Sequence, residues 1–476
     1  MNNFQRLLAA SAVLIPAYAL SQLAASGRNS KAQGSSDAAF AANKLLAKTV
    51  NYSGLEAPNE GEWGPKLEEA GFEAIKRAGF TAIRLPVKFS NHALATAPYT
   101  LDPAFAARVD WAVQNTTKRG LALILDLHHY NELTLAPEAN RARFIGLWGQ
   151  IAARYKNQPK SVIFELLNEP NDKFEPFWNN YAAAALAVVR KTNPNRTVII
   201  GPNGWNSADR LSELKLPNDP NLIATFHNYT PFEFTHQGAS WVSPVPPTGI
   251  SWPPKQNVAL RPPWQNWSWD SVVAPSSAGL EVTYNKGWAG AYLHSDAAAN
   301  GYSSLRVKTD RAIKLLVSCF TNTDGAKAKN FAIETQAGVE ASVPLSSCGD
   351  GMAFKDLMLQ NGTEEAQAKV TFQTLELVGA NTASGFLTDA QGQIRDYLET
   401  AAKWGRANNR PVFMGEFGAL ETGDMASRLR WTKFTREETE KRGISWAYWE
   451  FNGNFGVWDP KTKVWRDDLR KSLVGK

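Results

Sequence analysis

The chain has 476 residues, of which 43% are apolar and 20% charged, and its formal net charge is +6. That is globular composition, with enough length for one large domain and a second attached to it. The positive balance is modest and no Lys/Arg-rich run concentrates it. Nucleic-acid binding, which needs clustered cations against phosphate, is therefore not expected.

The opening stretch, MNNFQRLLAASAVLIPAYALSQLAASG, sets Arg6 before an apolar segment that runs from Leu7 to about Leu23 and ends in small residues. It has the form of a secretory signal peptide, because Pro16 and Ser21 interrupt a run already marginal for a membrane span. An uncleaved anchor is the alternative. The following GRNSKAQGSS reads as linker, so residues 1–36 are set apart from the fold.

From Leu46 short β-rich runs alternate with longer amphipathic stretches. The runs are Lys48–Gly54, Thr81–Val87, Leu121–His129, Ser161–Pro170, Thr197–Asn203, Leu222–Tyr229, Pro411–Gly418 and Ser445–Phe451. Between them lie helical patterns such as Asp102–Gly120, with apolar residues at helical spacing and a glycine stop. Eight strand–helix units predict an α/β fold, a (β/α)8 barrel. An open doubly wound sheet is less suited, since no Gly-rich phosphate loop follows the first strand.

One segment breaks the rhythm. Over Lys255–Gly379 helical periodicity gives way to period-two runs: LEVTYN at Leu280, SLRVKT at Ser304, NFAIET at Asn330 and KVTFQTLELV at Lys369. This predicts an all-β, jelly-roll-like sandwich over 255–379, inserted between the sixth and seventh strands of a barrel formed by 37–254 and 380–476. Both cysteines, Cys319 and Cys348, fall in it; in an exported protein they suit a disulfide. The entry SWPPKQNVALRPPWQNWSWD is rich in Pro and Trp. Of Trp264, Trp267, Trp269 and Trp288, at least two are expected to pack at a domain junction.

Side chains at the carboxyl ends of barrel strands converge on one mouth. Those ends supply Arg84, His128, His129, Asn168, Glu169, His227, Tyr229, Glu416 and Trp449. Two glutamates on opposite sides of one cleft, with no metal cluster, are the minimal equipment for cleaving a glycosidic bond. Glu416 lies between Gly415 and Gly418, which leaves room for a sugar ring, and Arg84 and Tyr229 are placed to stabilise its charge. Glu169, in a drier position, would hold its proton and deliver it to the leaving oxygen. Asn168 is suited to the sugar 2-hydroxyl, His128 and His227 to orienting the carboxylates, and Trp449 to the floor of the site. Taken singly, each has a structural explanation: a cap, an ion pair, or a metal half-site at His128–His129. The mixture at successive strand ends is what a stability network does not require.

Six blocks, FELLNEP, LDLHHY, RLPV, HNYTPFEFTHQGASW, GEFGALE and SWAYWEFNGNFGVWD, together resemble glycoside hydrolase family 5, the retaining cellulases and their relatives. The resemblance spans about Lys48–Trp252 and Asp389–Gly475. It implies that Glu169 is the acid/base and Glu416 the nucleophile, and that Arg84, His128, Asn168, His227, Tyr229 and Trp449 fill the remaining active-site positions. His129, Glu56 and Trp241 match subsite residues. THQGASW and LEAPNEGEWG resemble the bacterial endoglucanase branch that also accepts mannans, from which the insertion, similar to a carbohydrate-binding module, departs. The expectation is a secreted or periplasmic monomeric endo-β-1,4-glucanase acting on polysaccharide, with no metal or cofactor and no stable membrane association after signal cleavage. The alternatives are an endo-β-1,4-mannanase or xyloglucan or mixed-linkage glucan hydrolase, a non-catalytic glycan-binding protein, and a metal-dependent barrel hydrolase.

Overall fold

The computed structural model describes residues 36–255, 258–320, 327–348, 353–380 and 383–475. The expected signal peptide and linker lie outside the described residues, apart from Ser36. The chain divides into two compact units; Tyr229–Leu398 and Ala419–Thr435 form one, and the remainder forms the other.

The larger unit contains a closed barrel of eight parallel strands. They are β1 (Thr49–Asn51), β2 (Ala82–Val87), β3 (Ala122–Leu127), β4 (Val162–Glu165), β5 (Val198–Ile200), β6 (Leu222–Asn228), β7 (Val412–Phe417) and β8 (Ser445–Tyr448). Each falls within a run expected from the sequence. Every residue of all eight is buried, as in a parallel sheet covered on both faces, and so the runs are mostly apolar without alternation.

Local chemistry sets where the intervening helices start and stop. The helix Pro103–Thr117 begins with proline at its first position, and Asp102 accepts a hydrogen bond from Phe105 N at 2.7 Å. The helix Glu69–Ala78 ends on Gly79, whose φ of +95° suits a residue without a Cβ. A short helix, Asp37–Leu45, supplies Ala39 to a cluster with Leu46, Ala82, Ala122, Ile124, Ile163, Ile199, Ile223, Phe413 and Ala447, most of them from the amino-terminal parts of the strands. Asn43 ties it down: its side chain donates to Val412 O at 3.3 Å and its carbonyl accepts from Ser445 Oγ at 2.8 Å. That end of the barrel is packed shut, which leaves the carboxyl end for chemistry.

Among the described residues, the second unit holds two large antiparallel sheets and a two-stranded one that pairs Leu387–Thr388 with Ala259–Leu260. One runs in the order Glu340–Pro344, Ser304–Thr309, Ala368–Val378, Leu280–Tyr284, Ser271–Pro275, with Ala383–Gly385 paired to Ala368–Val378. The other runs Lys327–Thr335, Ile313–Phe320, Phe354–Asn361, Gly290–Ala299, Gln265–Asn266. Alternate residues of both sheets, among them Leu280, Val282, Leu305, Val307, Leu315, Val317, Leu357 and Leu359, fill one core. Cys319 and Cys348 are disulfide-bonded within it, 29 residues apart in sequence. Of the four tryptophans named above, only Trp264 is buried, and it belongs to this core beside Phe386; Trp267, Trp269 and Trp288 are exposed. The expectation that at least two of them pack at a junction is therefore corrected.

Closing a loop of this length by a disulfide is worth about 3 kcal/mol, mostly through the unfolded chain. Replacing Cys319 and Cys348 together by alanine is expected to lower the sandwich's unfolding transition in calorimetry by that order. An unchanged thermogram would show that the bond contributes nothing.

Candidate active site

At the carboxyl end of the barrel the organising group is Arg84 on β2, which is fully buried. Its Nε and Nη2 grip Glu165 on β4 in a two-pronged pair at 2.7 and 2.9 Å. Nη2 also donates to Asn168 Oδ1 at 2.8 Å and lies 3.1 Å from Asp126 Oδ2. Nη1 donates to Asn51 Oδ1 at 3.0 Å and to Glu416 Oε1 at 2.8 Å. One cation thus faces three carboxylates. Burial opposes its charge, but Asp126, Glu165 and Glu416 outweigh that cost and hold its pKa well above the ordinary arginine value.

Glu416 is aimed by a bulge. The register of β7 against β6 passes from Met414↔Phe226 to Glu416↔His227, so Gly415 is the extra residue. A Cβ on Gly415 would lie 2.7 Å from Thr225 Oγ1, and one on Gly418 would meet the Trp449 carbonyl oxygen. Both glycines are required by packing within the barrel, a role different from the sugar access expected of them.

Glu169 follows β4 with φ +46°, an uncommon conformation for a residue with a side chain, costing on the order of 1 kcal/mol. Its Oε1 is 2.7 Å from His227 Nδ1, and Glu416 Oε2 is 3.6 Å from the same nitrogen. One donor atom from each of Glu169, His227 and Glu416 lies within 4.8 Å of the others. The Glu169 side chain is 24% accessible and that of Glu416 6%, so Glu169 is not the drier of the two, as the sequence had suggested. Their difference lies in the partner: Arg84 bonds Glu416 directly. The Glu169 pKa is pushed up to about 7, by burial first, partly offset by Arg84 and reinforced by Glu165.

Burial, chiefly, holds the pKa of His227 down to about 4 and keeps it neutral. Asn206 Nδ2 sits 3.3 Å from His227 Nε2, which makes Nε2 the acceptor and Nδ1 the donor towards Glu169. His128 does not orient either glutamate; its Nδ1 pairs with Asp126 at 2.5 Å, and its ring lies parallel to Trp449 at 5.7 Å. Burial, then the Arg84 charge, keeps His128 neutral. His129, at φ +47°, meets the His128 ring edge-on at 4.2 Å and the exposed Trp63 at 5.4 Å. Glu56 accepts from Gly54 N and is buried, and burial raises its pKa.

Tyr229 and Trp241 belong to the second unit. Both rings meet His236, at 4.7 and 6.4 Å, and Trp241 is 59% exposed.

Four buried residues were not assigned a role from the sequence: Asn51, Asp126, Glu165 and Glu450. Asn51 bridges β1 to Gly415 O and Tyr448 O, both at 3.2 Å, while accepting from Arg84. Glu450 is pushed up to about 8, by burial first and then by Glu56 and Glu416 nearby. The available signal was an acid inside an apolar strand, LILDL and VIFE, which must find a buried cation. Among the described residues, Glu169, His227 and Glu416 are the one group whose donors could hold a metal. Arg84, 2.8 Å from Glu416, already supplies positive charge there and would repel a dication.

A family profile described as Cellulase (glycosyl hydrolase family 5) matches residues 44–271 and 375–455. The chain belongs to this family. Endoglucanase H of Acetivibrio thermocellus is 42% identical over 184 residues, 38% of this chain and 20% of that protein. Endoglucanase 3 of Fibrobacter succinogenes is 23% identical over 436 residues, 87% of this chain and 51% of its own length. The chain thus spans about half or less of these two curated relatives. Among solved structures, a hyperthermophilic endo-beta-1,4-glucanase in complex with substrate aligns at TM-score 0.62 and 29% identity, over 92% of this chain and 100% of its own. Thermotoga maritima Cel5A in complex with mannotriose aligns at TM-score 0.62 and 29% identity, over 91% and 99%.

Removing the Arg84 cation would leave three acids buried without their common partner. Arg84→Met is expected to cost about 3–5 kcal/mol of stability in urea unfolding at neutral pH. The deficit should shrink at low pH, where the acids can hold protons. A variant as stable as the parent at pH 7 would contradict the hub role given to Arg84.

Proposed function

We propose that the chain is a retaining endo-β-1,4-glucanase working by double displacement. The observation that carries this is the pairing of Glu416, ion-paired to Arg84 at 2.8 Å, with Glu169, whose donor atom lies within 4.8 Å of it. A direct nucleophile needs carboxyl groups about 5–5.5 Å apart, whereas an inverting site leaves about 6.5–9.5 Å for a water. The close pair supports retention.

Glu416 is kept ionised by Arg84 and attacks the anomeric carbon. Glu169, with His227 Nδ1 occupying Oε1, carries its proton on the other oxygen and gives it to the leaving sugar's oxygen. Once that sugar leaves, the Glu169 carboxylate takes a proton from water, which displaces Glu416 and frees the product. Arg84 fixes the Asn168 amide by its oxygen, so the NH2 is the end presented to a sugar hydroxyl. Internal β-1,4-glucan is the substrate favoured by the named relatives. Mannan is the second reading, supported by the mannotriose-bound neighbour. Export through the N-terminal segment is part of the proposal, supported by the disulfide in the sandwich.

Glu416→Ala is expected to remove nearly all turnover on soluble cellulose, with azide restoring part of it as an external nucleophile. Glu169→Ala should spare aryl glycosides with good leaving groups, which need little protonation. Equal losses for the two variants on an activated aryl substrate would overturn this division of roles. Because Glu169 must enter the first step protonated and its pKa is about 7, activity should fall as pH rises through neutrality. That alkaline limb should vanish in Glu169→Gln assayed on an activated substrate. A limb persisting unchanged would assign it to another group.

A further inference from the structure

The sandwich carries an aromatic face that the catalytic reading does not use. In the strand Gly290–Ala299, Ala291 and Leu293 enter the core, so Gly290, Tyr292 and His294 lie on the opposite side of the sheet. The neighbouring edge sets Trp267 and Trp269 on that same side: Trp267 N bonds Tyr292 O at 2.8 Å, and Trp269 bridges Gly290. Both indoles are open to solvent, 50% and 42% accessible.

Each is held rigid from beneath. The Trp267 ring stacks on His294 at 3.8 Å and 15° between planes. The Trp269 ring lies where a Cβ of residue 290 would be, 2.5 Å from that point, so glycine there is what lets the indole lie flat on the strand. Tyr292 extends the aromatic face, 5.9 Å from Trp269 and 5.5 Å from Phe320. His294 is locked by Asp356, Nδ1 to Oδ1 at 2.6 Å, and its Nε2 is 3.3 Å from the exposed Asp296. Asp356 is fully buried, with the Tyr292 hydroxyl beside its carboxylate.

A surface indole has no folding reason to be fixed this way. A fold gains by burying Trp, and an exposed pair costs solubility unless something covers it. Lys286 lies 3.3 Å from Asp270, and the exposed carboxylate of Asp296 beside His294 disfavours an anionic polymer. Flat, rigid rings open to solvent suit a neutral polymer with apolar ring faces and hydroxyl rims. We infer that Trp267 and Trp269, backed by His294, Tyr292 and Asp356, form a second glycan-binding site for a β-linked, uncharged hexose polysaccharide. The choice of ligand rests on the glucanase reading above, since a chain bearing a site of that family meets such polymers.

The test uses the full chain. In a Glu416→Ala background, so that polymer is not consumed, retardation is measured in native gels containing hydroxyethyl cellulose or galactomannan. Trp267→Ala with Trp269→Ala is expected to weaken retardation roughly tenfold, the scale of losing a central aromatic anchor. Trp267→Phe with Trp269→Phe should restore most of it. With Glu416 intact, the alanine pair should leave turnover of a short aryl cello-oligosaccharide unchanged and raise KM on polymer. Unchanged retardation with persisting hydrolysis of soluble cellulose would sink the second site and leave the glucanase reading standing. Equal loss of short-substrate turnover would show the tryptophans to be structural, which also overturns the inference. A parent that neither hydrolyses nor binds any of these polymers would defeat both readings.

Discussion

One buried guanidinium sets the rest of the site. Arg84 has donors fixed in a plane, and they reach Glu165, Asn168, Asn51 and Glu416 from β2, while Asp126 lies beside them. Burying that cation is affordable only because acids surround it, and burying those acids is tolerable only because the cation is there. Geometry follows: Glu416 is pinned on one side, and the carbonyl of Asn168 is spent on Arg84. Lysine, a point charge on a flexible stem, would neutralise the acids without fixing their directions.

The two glutamates are distinguished by this hub more than by their surroundings in general. Glu416, although more buried, is bonded to Arg84; Glu169 feels the same charge from further away and borders neutral His227. A carboxyl pushed towards neutrality beside one bonded to a cation is the arrangement on which the proposed acid-assisted displacement rests. The bulge at Gly415 and the left-handed backbone at Glu169 are the distortions through which the barrel brings the two together.

Much of this was legible in the sequence. The eight strand runs could be read because parallel strands buried on both faces are apolar and each is punctuated by a helix with caps. The strand-end residues followed from that reading. What could not be read was pairing inside the barrel. Asp126 and Glu165 sit within strands, and nothing local says that both turn to Arg84, one strand and two strands away. For the same reason His128 was assigned to orienting a catalytic carboxylate, when in space it faces Asp126 two residues earlier on its own chain. Gly415 and Gly418 were read as clearance for substrate, because sequence shows the missing side chain but not Thr225 or the Trp449 carbonyl that needs its absence. In the sandwich, period-two patterns located strands, yet could not tell a tryptophan buried in the core from one lying across the outer face of a glycine.

On the proposed mechanism, Glu416, held by Arg84, lies close enough to Glu169 to attack sugar directly. The anomeric configuration of the first product tests it most directly. Proton NMR during the opening minutes of cello-oligosaccharide hydrolysis, before mutarotation, should show new reducing ends in the β form. New ends appearing first in the α form would mean inversion through water, and the account of the pair would be wrong.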